Sequence, residues 1–441
     1  MTTLYSRRVL TPDGIQPAAV ELSGTHICAV HAECPASAHD LGDALLMPGI
    51  IDSHVHINEP GRTEWEGFET ATRAAARGGV TTVVDMPLNS APVTTTLDAL
   101  HAKLAAAAGK LWVNCGFWGG VIPGNDGQLA EMARAGVMGF KCFLCPSGID
   151  DFPHVERHDL ARAMPILKAA GVPLLVHAEL EQPLRDVPHS SDPRAYLTYL
   201  HSRPRQWEDA AIALVIDMVR QTGCPAHIVH LSSASALPMI RAAKAEGLPL
   251  TVETCPHYLC LTAEEIPDGA TQFKCAPPIR PSSNREALWS GLLDGTIDLV
   301  VSDHSPCIPA LKHLDVGDFM AAWGGIASLQ LGLSSVWTEA SQRGADIATL
   351  SRWMTTGPAR LLGLPDRSAI AAGMRADLIA WHPETDLTIR AAEILHRHAL
   401  TPYLGRQQRG AVQHTWLGGT PVVCDGKLTA PAGDILLRKN P

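Results

Sequence analysis

The chain has 441 residues, 46% hydrophobic and 18% charged, a balance that fits a compact enzyme with a large core and excludes a disordered chain. Its formal net charge of -10 is spread along the chain without a basic cluster, which argues against nucleic acid or an anionic membrane as partner. Eleven cysteines scattered through so long a chain read as reduced thiols, and no apolar run approaches the roughly 18 residues of a membrane span, so a soluble cytoplasmic protein is expected.

Residues 1–48 alternate β-formers with turn residues, as in Ala18-Ala19-Val20-Glu21-Leu22 and His26-Ile27-Cys28-Ala29-Val30, and predict short antiparallel strands. The same texture returns in Asp377-Leu378-Ile379-Ala380-Trp381 and Gly419-Thr420-Pro421-Val422-Val423. The two ends, 1–48 and 366–441, are therefore expected to pair into one small β-sandwich domain. Between them, residues 49–365 alternate apolar strand-like runs with helix-like stretches, the pattern of parallel βα units. Candidate strands are Gly49–His54, Thr81–Met86, Leu111–Gly116, Gly139–Phe143, Leu174–His177, Ala226–His230, Leu250–Cys255 and Leu299–Ser302. Helical periodicity marks Trp65–Arg77, Leu97–Ala108, His158–Ala170, Gln206–Arg220 and Ser233–Ala245. Eight such strands predict an α/β fold, a (β/α)8 TIM-type barrel whose active site lies at the C-terminal strand ends.

On that frame the polar residues converge. His54 and His56 end the first strand two residues apart, so both project to one face. Lys141 lies near the end of strand four, His177 ends strand five, His230 ends strand six and Asp303 follows strand eight. Each residue alone has a structural explanation, but together they define a metal centre. Imidazoles and a carboxylate suit zinc, with cobalt, manganese or nickel as neighbours. Five such ligands exceed what one catalytic zinc takes while keeping an open position, so two metals and a bridging anion are expected. An ammonium at Lys141 has no acceptor, whereas a carbamate formed with carbon dioxide offers two oxygens. Cys142 and Cys145 have the spacing of a metal or redox pair, but the sequence holds no second such pair to complete a four-sulfur site.

Six further blocks carry a resemblance: His56-Ile57-Asn58-Glu59-Pro60-Gly61-Arg62 with Trp65-Glu66-Gly67; Asp85-Met86-Pro87-Leu88-Asn89-Ser90; Gly139-Phe140-Lys141-Cys142-Phe143-Leu144; Lys274-Cys275-Ala276-Pro277-Pro278-Ile279-Arg280; Val301-Ser302-Asp303-His304-Ser305-Pro306-Cys307; and Trp323-Gly324-Gly325-Ile326-Ala327. From about Pro48 onward the chain resembles the cyclic-amide hydrolases of the amidohydrolase superfamily (dihydroorotases, hydantoinases, dihydropyrimidinases and allantoinases), and within them it is most similar to the allantoinases. The resemblance implies a binuclear centre held by His54, His56, His177, His230 and Asp303, with Lys141 as an N6-carboxylysine bridge. It also implies a cytoplasmic homotetramer that hydrolyses allantoin to allantoate. Gly373-Met374-Arg375-Ala376-Asp377-Leu378 matches the superfamily's return into the small β domain.

Departures bear on the substrate. Dihydroorotases that resemble this chain carry an arginine where Asn58 stands, and hydantoinases usually carry a tyrosine a few residues beyond the bridging lysine, where Cys145-Pro146-Ser147 follows here. Hydantoinase, dihydropyrimidinase and dihydroorotase activities are the alternatives. Non-catalytic dihydropyrimidinase-like assembly proteins lose metal ligands, whereas all six are present in this chain. Two metals lower the pKa of a bridging water from about 15.7 toward about 7, and Asp303 is expected to take the proton and pass it to the leaving ring nitrogen. Asn58, Asn89, Ser305 and the backbone around Gly324 and Gly325 are the candidate substrate contacts, with His257 and Arg280 as weaker ones. Asp303-His304-Ser305 is not a serine-hydrolase triad, because three adjacent residues cannot form the required line of groups.

Overall fold

The structure, a computed structural model, describes residues 2–183 and 192–439. The alternating N-terminal segment forms β1 (Thr2–Thr11), β2 (Gly14–Ser23) and β3 (His26–His31), antiparallel in sequence order. Two short strands, β4 (His39–Asp40) and β5 (Leu45–Pro48), lie parallel to β1.

The chain then enters the barrel. Its strands are β6 (Ile50–Val55), β7 (Val80–Asp85), β8 (Asn114–Phe117) continued by β9 (Gly119–Gly120), β10 (Phe140–Phe143), β11 (Leu174–His177), β12 (Ala226–Ile228), β13 (Leu250–Thr254) and β14 (Leu299–Val300). All neighbouring pairs are parallel. The strands are buried almost throughout, as a sheet covered on both faces requires. The ring closes at a seam where the His56 N–H donates to the His304 carbonyl at 2.8 Å. At the same seam the Asp52 carboxylate accepts from the Ser302 N–H at 3.1 Å and the His54 N–H at 3.2 Å. Burial pushes Asp52 up to about 6. Helices Phe68–Arg77, Leu97–Ala107, Arg157–Ala169, Arg205–Thr222 and Leu237–Ala245 follow their strands near the expected positions.

From the other end, β15 (Leu378–Thr388) pairs antiparallel with β5, and β16 (Gln407–Leu417), β17 (Thr420–Cys424) and β18 (Lys427–Leu428) extend the sheet. Nine strands from both termini thus share one sheet, with Leu4, Val9, Val20, Leu22, Leu46, Leu378 and Trp416 in its own core. The protein is a (β/α)8 barrel carrying a small β domain formed by both termini.

Two segments of 366–441 leave that sheet for the barrel. His398 Nε2 meets the Glu64 carbonyl and Thr401 Oγ1 donates to the Ala327 carbonyl. Residues 434–436 add to the third barrel strand, where Cys115 N donates to Asp434 O and Leu436 N to Cys115 O. That strand begins at Asn114 instead of Leu111. Met1, Asn440 and Pro441, at the ends of the expected terminal lobe, lie outside the described residues. No described helix is long and apolar enough to cross a membrane.

Candidate metal centre and substrate cavity

His54 and His56 project from the end of β6 into the barrel mouth with their ring tautomers fixed from behind. His54 Nδ1 donates to Glu253 Oε1 at 2.5 Å and His56 Nδ1 donates to the Leu88 carbonyl at 2.8 Å. Each therefore presents an Nε2 lone pair, and both Nε2 atoms face the same oxygen, Asp303 Oδ1, at 3.2 and 3.6 Å. His177, ending β11, donates Nε2 to Glu179 Oε2 at 2.7 Å, which leaves its Nδ1 bare. His230 stands two residues beyond β12, and its ring centroid is 4.6 Å from that of His177 and 5.4 Å from that of His54. One ligand atom each from His54, His230 and Asp303 lies within 4.8 Å of the others.

Three buried atoms here have no hydrogen-bond partner: Lys141 Nζ, His54 Nε2 and His230 Nδ1. Burial, followed by the neighbouring Lys141, pushes His54 down to about 4. Burial also holds His56, His177 and His230 below the ordinary imidazole value. The rings are therefore neutral at pH 7, as ligation requires. Burial raises Asp303 and lowers Lys141. Leaving such donors and acceptors unmatched costs about 1–3 kcal/mol each, so the set fits a divalent cation. His230 and Asp303 also adopt left-handed backbone, φ 38° and 44°, at a cost of about 1–3 kcal/mol each, concentrated at the residues that turn from strand into cavity.

An outer layer had no distinctive sequence signal. Glu253, inward on β13, serves His54 on one oxygen and His227 Nε2 on the other at 2.8 Å, and also accepts from the His230 N–H at 3.3 Å. Glu179 links His177 to Arg203, whose guanidinium lies 3.0 Å away. Asp85 at the end of β7 accepts the Ile57 N–H at 2.8 Å and pairs with buried Lys103 at 2.6 Å, which holds the turn carrying His56. The sequence hint is a carboxylate within, at the end of or just beyond a strand-like run: Glu253 within β13, Asp85 ending β7 and Glu179 two residues past β11.

The ligands open onto a cavity of about 300 Å³ lined in part by Asn89, Phe143, Arg203, Lys274, Ser305 and Trp323. Asn89, Ser305, Gly324 and Gly325 are on its wall. The Gly325 N–H is already donated to the Lys274 carbonyl at 2.8 Å, which leaves Gly324 as the backbone edge toward the cavity. Gly325 has φ +125°, and an added Cβ would sit 2.2 Å from the Ser305 carbonyl oxygen, so glycine is required there. Asn58 is displaced from the expected substrate contact: it is fully buried behind Asn89, donates Nδ2 to the Pro306 carbonyl at 3.2 Å and accepts from Asn89 Nδ2 at 3.4 Å. Arg280 turns away to pair with buried Glu208. His257 is buried, with neither ring nitrogen hydrogen-bonded.

A barrel with such a mouth places the protein in a class, and comparison with known proteins agrees. The model of the Amidohydrolase family matches residues 45–422, and the chain belongs to that family of metal-dependent enzymes. It is similar to the allantoinase of Streptomyces avermitilis, with 50% identity covering 99% of this chain and 98% of that one. It is also similar to the allantoinase of Arabidopsis thaliana, with 43% identity covering 97% and 89%. Among solved structures, the L-hydantoinase (dihydropyrimidinase) of Arthrobacter aurescens superposes with a TM-score of 0.90 at 27% identity, covering 99% of this chain and 100% of that one.

Proposed function

We propose that this protein is an allantoinase, opening the hydantoin ring of allantoin to give allantoate. The observation that carries the reading is the cluster at the barrel mouth: His54 Nε2, buried and without a hydrogen-bond partner, and His56 Nε2 face Asp303 Oδ1 at 3.2 and 3.6 Å, and one ligand atom each from His54, His230 and Asp303 lies within 4.8 Å of the others. Near-full-length similarity to curated allantoinases selects this substrate within the family.

His54, His56, His177, His230 and Asp303 would hold two divalent ions, most simply zinc, with Lys141 as their carbamate bridge. When bound, the pair acidifies water and polarises the substrate carbonyl. The chain's own residues do the rest. Burial lowers Lys141 and so favours the neutral amine, the form that combines with carbon dioxide. Glu253, Glu179 and the Leu88 carbonyl keep three imidazoles in the ligating tautomer. Asp303 accepts the proton of the attacking water as the new C–O bond forms, and returns it to the ring nitrogen as the C–N bond breaks. Burial raises the proton affinity of this carboxylate, in keeping with that role. Asn89, Ser305 and the Gly324 backbone bind the ring's amide and carbonyl edges, Gly325 shaping the turn with both its backbone groups engaged by protein, while Asn58 positions Asn89.

The family resemblance further supports a cytoplasmic homotetramer, a barrel domain at 49–365 and a split β domain at 1–48 and 366–441. Turnover of allantoin, hydantoin, dihydrouracil and dihydroorotate, measured side by side with metal analysis, tests the assignment. Allantoin is expected to lead the panel by at least about 10-fold in kcat/KM, equivalent to about 1.4 kcal/mol of transition-state preference. A lead for hydantoin or dihydrouracil would move the enzyme to the activities named for its structural neighbours, and no turnover of any of the four by metal-loaded protein would remove the catalytic reading.

A further inference from the structure

Away from the barrel, the terminal sheet gathers a second set of ligating side chains. His414 on β16 faces the end of β17, whose last residue is Cys424, and Asp425 follows in the turn to β18. Asp425 and Gly426 both have positive φ, 49° and 71°, and Cys424 pairs with Lys427 across them, so this is a two-residue hairpin turn. Turn chemistry accounts for the Asp-Gly pair but not for the imidazole and thiol beside it.

His414 Nε2 lies 3.6 Å from Asp425 Oδ1, and Cys424 Sγ lies 3.9 Å from Asp425 Oδ2. One ligand atom from each of the three residues lies within 4.8 Å of the others. Tetrahedral zinc with ordinary bond lengths separates nitrogen from oxygen by about 3.4 Å and sulfur from oxygen by about 3.6 Å. The imidazole and the thiol thus each stand a few tenths of an ångström beyond coordination spacing from one oxygen of the Asp425 carboxylate, and the imidazole–carboxylate separation is too long for a hydrogen bond. The surroundings fix two of the ligands. The His414 ring stacks on Trp416 with centroids 5.3 Å apart, and Gln413 donates Nε2 to Asp425 Oδ1 at 3.3 Å while its Oε1 meets His382 Nε2 at 3.0 Å. His39 on β4 presents a further imidazole, edge-on to His414 at 6.0 Å between centroids. Cys424 and Asp425 are exposed, so an ion reaches them directly from solvent.

We propose that His414, Cys424 and Asp425 form a peripheral site for a zinc-class divalent ion (zinc, cobalt or nickel), separate from the barrel centre, with His39 or water completing the tetrahedron. Binding releases the thiol proton and makes Cys424 a thiolate ligand. Occupancy ties the β17–β18 turn to β16 and, where His39 is the fourth ligand, to the N-terminal half of the sheet.

The test compares the parent with Cys424→Ser and His414→Ala after equilibrium dialysis against zinc, with bound metal counted per chain, and after loading with cobalt, read by absorption. Each variant is expected to hold one equivalent fewer than the parent while allantoin turnover stays unchanged. The thiolate-to-cobalt charge-transfer intensity of the parent should fall in Cys424→Ser. Because Cys424 is exposed and outside the core, its serine variant reports on binding even if His414→Ala loosens the packing on Trp416. Equal stoichiometry and an unchanged charge-transfer band in Cys424→Ser would overturn the site, and that outcome is independent of which substrate the barrel turns over.

Discussion

Replacing Glu253 with Gln tests whether the metal centre is set by its outer layer. The carboxylate spends one oxygen on His54 Nδ1 at 2.5 Å and the other on His227 Nε2 at 2.8 Å, and it is fully buried. An amide keeps one acceptor and turns its NH2 toward the second imidazole, so two charge-assisted hydrogen bonds become at best one neutral bond. A charge-assisted bond contributes about 1.5–3 kcal/mol and a neutral one about 0.5–1.5, so His54 loses about 1–2 kcal/mol of support for its ligating tautomer. At 1.4 kcal/mol per decade this predicts about 5- to 30-fold weaker metal binding, overlapping the 10- to 100-fold range typical of such partners. Competition against a chelating dye measures it, with thermal unfolding of the metal-loaded protein as the control for folding. Affinity within twofold of the parent would show that Glu253 only fills the barrel and that the imidazole is oriented by something else.

Three further outcomes are expected. Lys141→Ala should lose most of its turnover and regain part of it when a short carboxylic acid is supplied, because the acid replaces the two carbamate oxygens; full activity with an unmodified Lys141 by mass spectrometry would contradict the bridge. Asp303→Asn should cut kcat by about 10²- to 10⁴-fold, the range for a lost acid–base group, with bound metal counted alongside; a variant within a few-fold of the parent would assign proton transfer elsewhere. Asn58→Gly, which keeps the left-handed backbone at φ 67° while removing the tether on Asn89, should raise KM for allantoin by about 3- to 10-fold, the worth of about one hydrogen bond, with kcat nearly unchanged; an unaltered KM would detach Asn58 from substrate binding.

The barrel was legible, and the candidate ligands could be placed at its mouth, because both follow from short-range periodicity. A period of two sets His54 and His56 on one face of a strand, and the βα alternation fixes which strand ends share a mouth. His177 was legible for the same reason, ending β11 where the apolar run Leu174-Leu175-Val176 stops. The exact ends were less so. β12 stops at Ile228 and β14 at Val300, two and three residues before His230 and Asp303, both of which adopt left-handed backbone that is uncommon outside glycine even though histidine and aspartate are among the residues enriched there. The third strand starts at Asn114, where its pairing with Thr82 of β7 begins, and residues more than 300 positions away in sequence bond to Cys115 within it, a contact no local pattern announces.

The cavity wall was harder, and Asn58 shows why. Its position beside His56 and the arginine found there in dihydroorotases made it the natural discriminator between a neutral and an anionic ring. The structure gives both ends of its amide protein partners, the Pro306 carbonyl and Asn89, so any preference it exerts acts through Asn89. Lys274 and Arg203, which do reach the wall, are likewise engaged from behind: Lys274 donates to the Ala322 carbonyl at 2.6 Å and the Met320 carbonyl at 3.1 Å, and Arg203 pairs with Glu179. An anionic ring that drew on Arg203 would compete with Glu179, which in turn orients His177. Binding of a charged substrate through Arg203 would therefore be coupled to His177, a candidate metal ligand, through Glu179, which stands two residues beyond it in the chain.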